Sequence, residues 1–329
     1  MSEIKRVPRE KNFGEPKHYV LDKNTPPILE VELGERFIGE VEDSLNGVLR
    51  DNPTKLYPRD AVPSSTRVPA WINPTCGPIY VNGVEAGDVL VVTIEKIDKI
   101  TNGVTITVPG WHHFTGLRGW EECDEMYTGI IENAGGKGTW KYGQHTHTWE
   151  LKPFLGTFAT APEFEVLSSL ATSFGSALAC GGNLDCRDIR EGTKVYLQSF
   201  NRGGLLFFGD LHASQGDGEV SSVANEAAGE VTLSCDVIKN KTLNNVRLET
   251  PESLISVYCY RPIEEAIKQA LKDLILWLEE DYGMTKREAY MLSSICPGFR
   301  INVYQVCGNL GRLMTTVGTE FPKNMLPKS

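Results

Sequence analysis

Long apolar runs, clustered basic residues and paired cysteine motifs are all missing from this 329-residue chain, and each absence removes a class of function. No stretch approaches the roughly 20 apolar residues of a membrane span. Lys and Arg number 33 against 43 Asp and Glu, a net charge of −10. Phosphate-backbone or anionic-membrane binding needs concentrated positive charge, so neither nucleic acid nor membrane is an expected partner. The eight cysteines (76, 123, 180, 186, 235, 259, 296 and 307) include no CxxC or zinc-finger spacing. They read as reduced thiols, and a first segment with basic residues but no apolar stretch behind them reads as no secretory signal. The cytoplasm is therefore the expected compartment, and the sequon Asn240-Lys241-Thr242 an accidental match. There is no GxSxG elbow, and Gly135-Gly136-Lys137-Gly138-Thr139 lacks the spacing of a phosphate-cradling loop.

What is present is glycine and proline, 32 and 18 residues, between short alternating segments. Strands are expected within 28–39, from Val41 onward, and over Lys194–Phe200, Gly204–Phe208 and Glu230–Ile238. Asn82-Gly83 between Ile79–Val81 and Gly87–Ile94 predicts a hairpin with a type I′ turn. Residues 109–153, rich in glycine and aromatics, read as a surface excursion with little periodicity. One long amphipathic helix is expected over Arg261–Tyr282, its stripe of Ile263, Ala266, Ile267, Ala270, Leu271, Leu274, Ile275 and Leu278 forming core or a subunit interface. Gly283 suits its C-cap, and Thr285 with Glu288 predicts a capping box for a second helix to about Ser294. The fold class is thus mainly β, sandwich- or barrel-like in its N-terminal part, with a smaller C-terminal α/β portion, α+β overall. The expected division is 1–250 and 251–329, the second part packed against the first or continuous with it.

Chemistry concentrates in Gly209-Asp210-Leu211-His212-Ala213-Ser214-Gln215-Gly216-Asp217-Gly218-Glu219. If Asp210 to His212 stay extended, both side chains face one way, as two ligands of one metal would. Gly216 and Gly218 allow the chain to turn and return Asp217 and Glu219 to the same pocket. Histidine with carboxylates suits zinc and accepts other divalent ions. The competing reading is a solvated acidic turn. Upstream, Asn183 and Asp185 alternate onto one face in Cys180-Gly181-Gly182-Asn183-Leu184-Asp185, or else form an Asx turn. Asp43 is a third candidate, or simply a solvated strand end. His145 and His147 could share a metal or lie on a surface strand. Trp111, Trp120 and Trp149 are packing residues or a small pocket lid.

These strings resemble the acetamidase/formamidase family: GDLHASQGDGE at 209–219 and GGNLD at 181–185 match its two central motifs. Asn73-Pro74, Gly77–Val81 and Gly87-Asp88, PFLGTFATAPE at 153–163, Arg287–Ser293 and Pro322-Lys323 extend the likeness over residues 28–326. The resemblance implies hydrolysis of formamide, acetamide or a similar short amide by a homodimer or higher homo-oligomer with a divalent metal, zinc first and calcium second. It implies Asp185, Asp210 and His212 as metal ligands with Asp217 next, Glu219 as general base, Asn183 orienting the substrate carbonyl or its oxyanion, and Asp43 lining the pocket. Three positions depart from the family pattern: Cys180 stands where many members have His, Gly298 where Asp is common, and 109–150 does not match. Two rival readings remain, a thiol amidase using Cys186 or Cys180 and a non-catalytic β-rich protein that binds calcium for structure.

Overall fold

The computed structural model describes residues 3–9, 19–51, 72–109, 120–164, 179–306 and 314–327. Trp111, with the His112-His113 pair, lies outside them. The strands of the first half are β1 (Lys5–Val7), β2 (Leu29–Val31), β3 (Arg36–Val41), β4 (Thr75–Val81), β5 (Val89–Asp98) and β6 (Gly103–Thr107). Next come β7 (Tyr127–Ala134), β8 (Lys137–Tyr142), β9 (His145–Glu150), β10 (Phe154–Thr160), β11 (Gly181–Asn183) and β12 (Lys194–Gln198). The second half adds β13 (Leu206–Ser214), β14 (Asn225–Glu226), β15 (Gly229–Ile238), β16 (Val246–Glu249), β17 (Ser253–Tyr260), β18 (Arg300–Gln305) and β19 (Thr315–Pro322). Among the described residues three α-helices accompany them: α1 (Val48–Asp51), α2 (Ile263–Tyr282) and α3 (Lys286–Ile295).

These strands form two sheets, nearly all antiparallel. One runs β1-β3-β15-β5-β12-β16-β17-β19-β18; the other runs β11-β10-β13-β14-β6-β7-β8-β9, with β4 on β13 and β2 on β4. Apolar residues from both line one core, where Phe208 of β13 lies 6.4 Å from Phe37 of β3 and 6.4 Å from Phe158 of β10, ring centre to ring centre. Each such side chain taken from water contributes about 1.5–3 kcal/mol. The fold is mainly β with a small helical part, as the sequence predicts. The division expected at 250/251 falls in the turn between β16 and β17, paired neighbours of one sheet.

Helix α2 covers the β17–β19 end of the first sheet. Leu274, Trp277 and Leu278 meet Leu254 and Phe321 there. A buried ion pair fixes its rotation: Arg247 Nε and Nη2 donate to the two carboxylate oxygens of Asp273, each at 3.0 Å, and Ser256 Oγ adds a third bond at 2.9 Å. Arg247 also stacks 5.2 Å over the Trp277 ring. Pro262 is the N-cap of α2, Gly283 closes it in the left-handed conformation, and Thr285 with Glu288 makes the expected capping box on α3.

Three expectations about strands need correcting. The Asn82-Gly83 segment joins no hairpin: β4 belongs to one sheet and β5 to the other. Only Gly83 has positive φ, so the Val81–Val84 turn lacks the two left-handed residues that a type I′ turn demands. Residues 127–150 are no loop but three antiparallel strands extending the second sheet. His145 and His147 lie exposed on the last of them, their rings 6.3 Å apart. Finally, β13 does not stop before the acidic motif but carries it as far as Ser214.

Candidate active site

The site is assembled on the middle of β13 by residues bent out of regular strand geometry. Asp210 has φ +57° inside the strand. Its neighbours Gly209 and Leu211 pair with Thr157 and Leu155 of β10, which leaves Gly156 facing Asp210. A Cβ on Gly156 would stand 2.6 Å from Asp210 Oδ2 and 2.7 Å from Asp185 Oδ1. The missing side chain is the space in which the two carboxylates meet. Asp185, just past β11, is itself left-handed (φ +46°), and its N–H and that of Leu184 both donate to the Gly156 carbonyl. Glu219 (φ +45°) ends a 3₁₀ turn through Gly218 (φ +80°), and Asn73 (φ +54°) closes the group before β4. Left-handed backbone at four non-glycine residues of one site costs on the order of 1–3 kcal/mol each, and such strain is typical of functional positions.

His212 stands at the centre. Its Nε2 lies 3.2 Å from Asp210 Oδ1 and 3.2 Å from Glu226 Oε1, while Nδ1 meets Gln215 Oε1 at 2.8 Å. The Phe154 ring packs edge-on against the imidazole at 4.9 Å. Asn183 donates from Nδ2 to Asp185 Oδ2 at 2.8 Å, and Gln305 Nε2 donates to the same oxygen. Asn73 Nδ2 donates to Asn183 Oδ1 at 2.7 Å and to Asp210 Oδ2 at 2.9 Å, with Thr157 Oγ1 2.8 Å from Asn183 Oδ1. Two ligand trios result, Asp185–His212–Glu219 and Asp210–His212–Glu226, in each of which the ligand atoms lie within 4.8 Å of one another.

Four buried carboxylates therefore converge on one imidazole. Among the described residues no lysine or arginine pairs with any of them. Burial and the Asp210 charge push Asp185 up to about 7. Burial likewise raises Asp210, and Glu219 well above the ordinary range with Asp185 adding to it. Burial opposes charge on His212, but the Glu226 and Asp210 carboxylates outweigh it and raise the imidazole. For Glu226 burial acts upward, yet the imidazole charge, Ser44 and the Ala224 N–H together pull it down. Uncompensated charge in a dry site is so costly that it must recruit protons or a cation. Among the described residues, buried Glu226 Oε2 has no hydrogen-bond partner, and neither has Gln305 Oε1. Carboxylate and imidazole donors, a trio about one point and an orphaned oxygen beside it fit a divalent ion.

The remaining expected residues lie elsewhere. Asp217 is exposed and pairs with Arg187, because Gly218 turns the chain so that Glu219 enters the cluster while Asp217 leaves it. Asp43 is buried beside the cluster but accepts from Leu45 N, Gly47 N and Arg50 Nη1 at 2.9, 2.9 and 2.7 Å, anchoring the turn into α1. Burial and then Glu42 push it up to about 7. Cys186 is buried in the apolar core, raised well above an ordinary thiol by burial and by Asp188, and Cys180 is pushed up to about 12 by burial. Neither has the environment of a thiolate nucleophile. Glu226 is a site residue that sequence reasoning missed. Asn225-Glu226-Ala227-Ala228 carries no pattern, and only the antiparallel register of β14 on β13 sets Glu226 opposite His212. A cleft of about 710 Å³ opens alongside, lined among others by Trp149, Arg187, Ser214, Gln215 and Asn225.

Across 99% of this chain and 94% of its own length, the crystal structure of acetamidase from Yersinia enterocolitica superposes with a TM-score of 0.79 at 31% identity. This chain belongs to the acetamidase/formamidase family. The family's sequence profile matches residues 175–306, the span that contains Asn183, Asp185, Asp210, His212, Gln215, Glu219, Glu226 and Gln305. An acetamidase from Mycolicibacterium smegmatis is 25% identical over 277 residues, 68% of this chain and 66% of that protein. A Schizosaccharomyces pombe protein that carries the name formamidase is 28% identical over 237 residues, 57% of this chain. The match thus spans 56% and 66% of the length of the yeast and mycobacterial relatives. At the departure Gly298, a Cβ would meet Pro322 Cγ at 2.9 Å. Gly298 lies in the turn before β18 and not in the cluster.

Proposed function

We propose that the chain hydrolyses a short aliphatic amide of the formamide or acetamide type to carboxylate and ammonia, using a divalent cation, zinc first and calcium second. The observation that carries this reading is the excess of buried carboxylates about His212, in a chain whose family names acetamidases and formamidases. Of the two trios, Asp210, His212 and Glu226 would hold the ion and leave Glu219 to move protons, with Asp185 as a further ligand. When bound, such an ion lowers the pKa of water and polarises a carbonyl.

Glu219 takes the proton of the attacking water as its oxygen bonds to the amide carbon, then passes that proton to the leaving nitrogen as the C–N bond breaks. Burial, which raises this carboxyl, suits it to both halves of the transfer. Asn183, held by Asn73, Thr157 and Asp185, is the amide donor we assign to the substrate carbonyl oxygen. Asp43 supports the wall behind Glu226 through the turn it anchors. Asp217 takes no part.

We place the protein in the cytoplasm, supported by the buried thiols of Cys186, Cys235 and Cys259, which form no disulfide among the described residues, and assign it a homodimeric or larger homo-oligomeric state. The outward Tyr290, Met291 and Ile295 of α3 support the latter. No described helix is long and apolar enough to cross a membrane. Elemental analysis and an ammonia-release assay on a panel of short amides test the function. Activity should disappear on chelation and return with zinc. Full activity after complete removal of the metal would overturn the mechanism. A metal-loaded protein that releases ammonia from no amide would leave the structural calcium reading in its place.

A further inference from the structure

Gln215 has a hydrogen-bonding position with a single solution. Its Nε2 lies 3.0 Å from the Asp185 carbonyl oxygen and 2.8 Å from the Tyr304 carbonyl oxygen, and its Oε1 lies 2.8 Å from His212 Nδ1. Backbone carbonyls only accept, so the end of the amide that faces two of them must be the NH2 group. Flipping the amide would set its oxygen against both. With the NH2 end fixed, Oε1 faces the imidazole, and because Oε1 also only accepts, Nδ1 must be the nitrogen that carries hydrogen. The logic uses no choice of histidine tautomer, only the chemistry of two peptide oxygens.

The consequence falls on the other ring nitrogen. Nε2 is aimed between Asp210 Oδ1 and Glu226 Oε1, 3.2 Å from each. With Nδ1 protonated, Nε2 between two carboxylate oxygens needs something positive there, a proton of its own in the metal-free site or a cation in the loaded one. Gln215 thus ties His212, the Asp185 loop and strand β18 together. It stands half-buried in the wall of the 710 Å³ cleft. We propose that Gln215 is a positioning residue that fixes His212 with hydrogen on Nδ1, so that Nε2 presents its lone pair to a cation shared with Asp210 and Glu226. This inference rests on the cation reading of the cluster and adds the residue that orients its imidazole ligand.

The test compares the full-length wild-type protein with Gln215→Met, which keeps the length of the side chain and removes both donor and acceptor. Zinc affinity is measured by competition with a chelating dye. Loss of an outer hydrogen bond to a ligating histidine should weaken it about 10- to 100-fold, and a crystal of zinc-loaded wild type should show the ion on Nε2. Equal zinc affinity of the folded variant, or an ion bound through Nδ1, overturns the proposal. A second measurement serves if Gln215→Met does not fold: the ¹⁵N spectrum of histidine-labelled wild type should show a protected proton on Nδ1 of His212, and its absence is equally fatal. If wild type takes up neither zinc nor calcium, the cation reading fails. The Nδ1 proton then decides separately whether Gln215 orients the ring.

Discussion

Two of the regions in which this molecule buries charge do so in opposite ways. Under α2, Arg247 and Asp273 meet in a two-pronged pair with Ser256 closing the remaining valence. The buried carboxylate has its own cation, and the more exposed Glu280 stands 3.8 Å from the same guanidinium. Around His212 four carboxylates face one imidazole on strained backbone, and an oxygen of Glu226 is left over. The first arrangement is finished without any visitor and acts as a structural lock. The second carries an excess of acid with no lysine or arginine beside it among the described residues. Burial alone therefore says little about function; burial without a counter-charge says a good deal.

The sharpest way to break this contrast is Glu219→Gln. Turnover on the preferred amide should fall by about 10²–10⁴, while zinc still binds and the melting temperature stays near that of wild type. Unchanged turnover would remove Glu219 from proton transfer. Next in size is Arg247→Met, which strands the Asp273 carboxylate and should cost about 3–5 kcal/mol in denaturant unfolding. Activity per folded molecule should persist, and a parallel loss of kcat would mean that the lock and the site are coupled.

A smaller effect concerns pH. Asp43 and Asp185 are pushed up to about 7 and Glu219 is raised well above its ordinary range, so the folded, metal-free chain holds protons that the unfolded chain releases near pH 4. His212, also raised, acts with the same sign, since the stability it lends is lost as pH climbs through its elevated value. Glu226, lowered, opposes them. The melting temperature of metal-free protein should accordingly drop by several degrees, at roughly 2–4 °C per kcal/mol, from pH 5 to pH 8. A rise across that window would mean that the cluster is already neutralised by another group. The smallest effect belongs to Asp217→Asn. An exposed residue paired only with Arg187 should shift stability by no more than about 0.5 kcal/mol and leave zinc affinity alone; a large drop in affinity would return Asp217 to the ligand set.

Much of this was legible before any coordinates. The 209–219 string and Asn183 with Asp185 read as a convergent site because histidine and carboxylates at short spacing are chemically conspicuous. Asp210 and His212 do converge, though by another route than alternation along an extended strand: Asp210 turns left-handed opposite Gly156. Asp217 was misjudged because one left-handed glycine, Gly218, sends its two neighbours to opposite sides. Glu226, Asn73 and Gln305 were illegible as site residues for a different reason. Their place depends on strand register and on contacts between segments far apart in the chain, and a single sequence carries no local trace of either. Helices α2 and α3, whose signals are local, are legible almost to the residue, whereas the short α1 carries no such signal and the Asn82-Gly83 hairpin fails because the partners of β4 and β5 are chosen by distant strands.

Contributors to the cluster extend from Asn73, ahead of β4, to Gln305, at the end of β18. Contacts of such long sequence separation form late and slowly in folding. A chain that has not yet placed the segment before β4 and the end of β18 lacks Asn73 and Gln305 at the cluster, so on the proposed mechanism full turnover during refolding would mark the moment when the whole topology has closed.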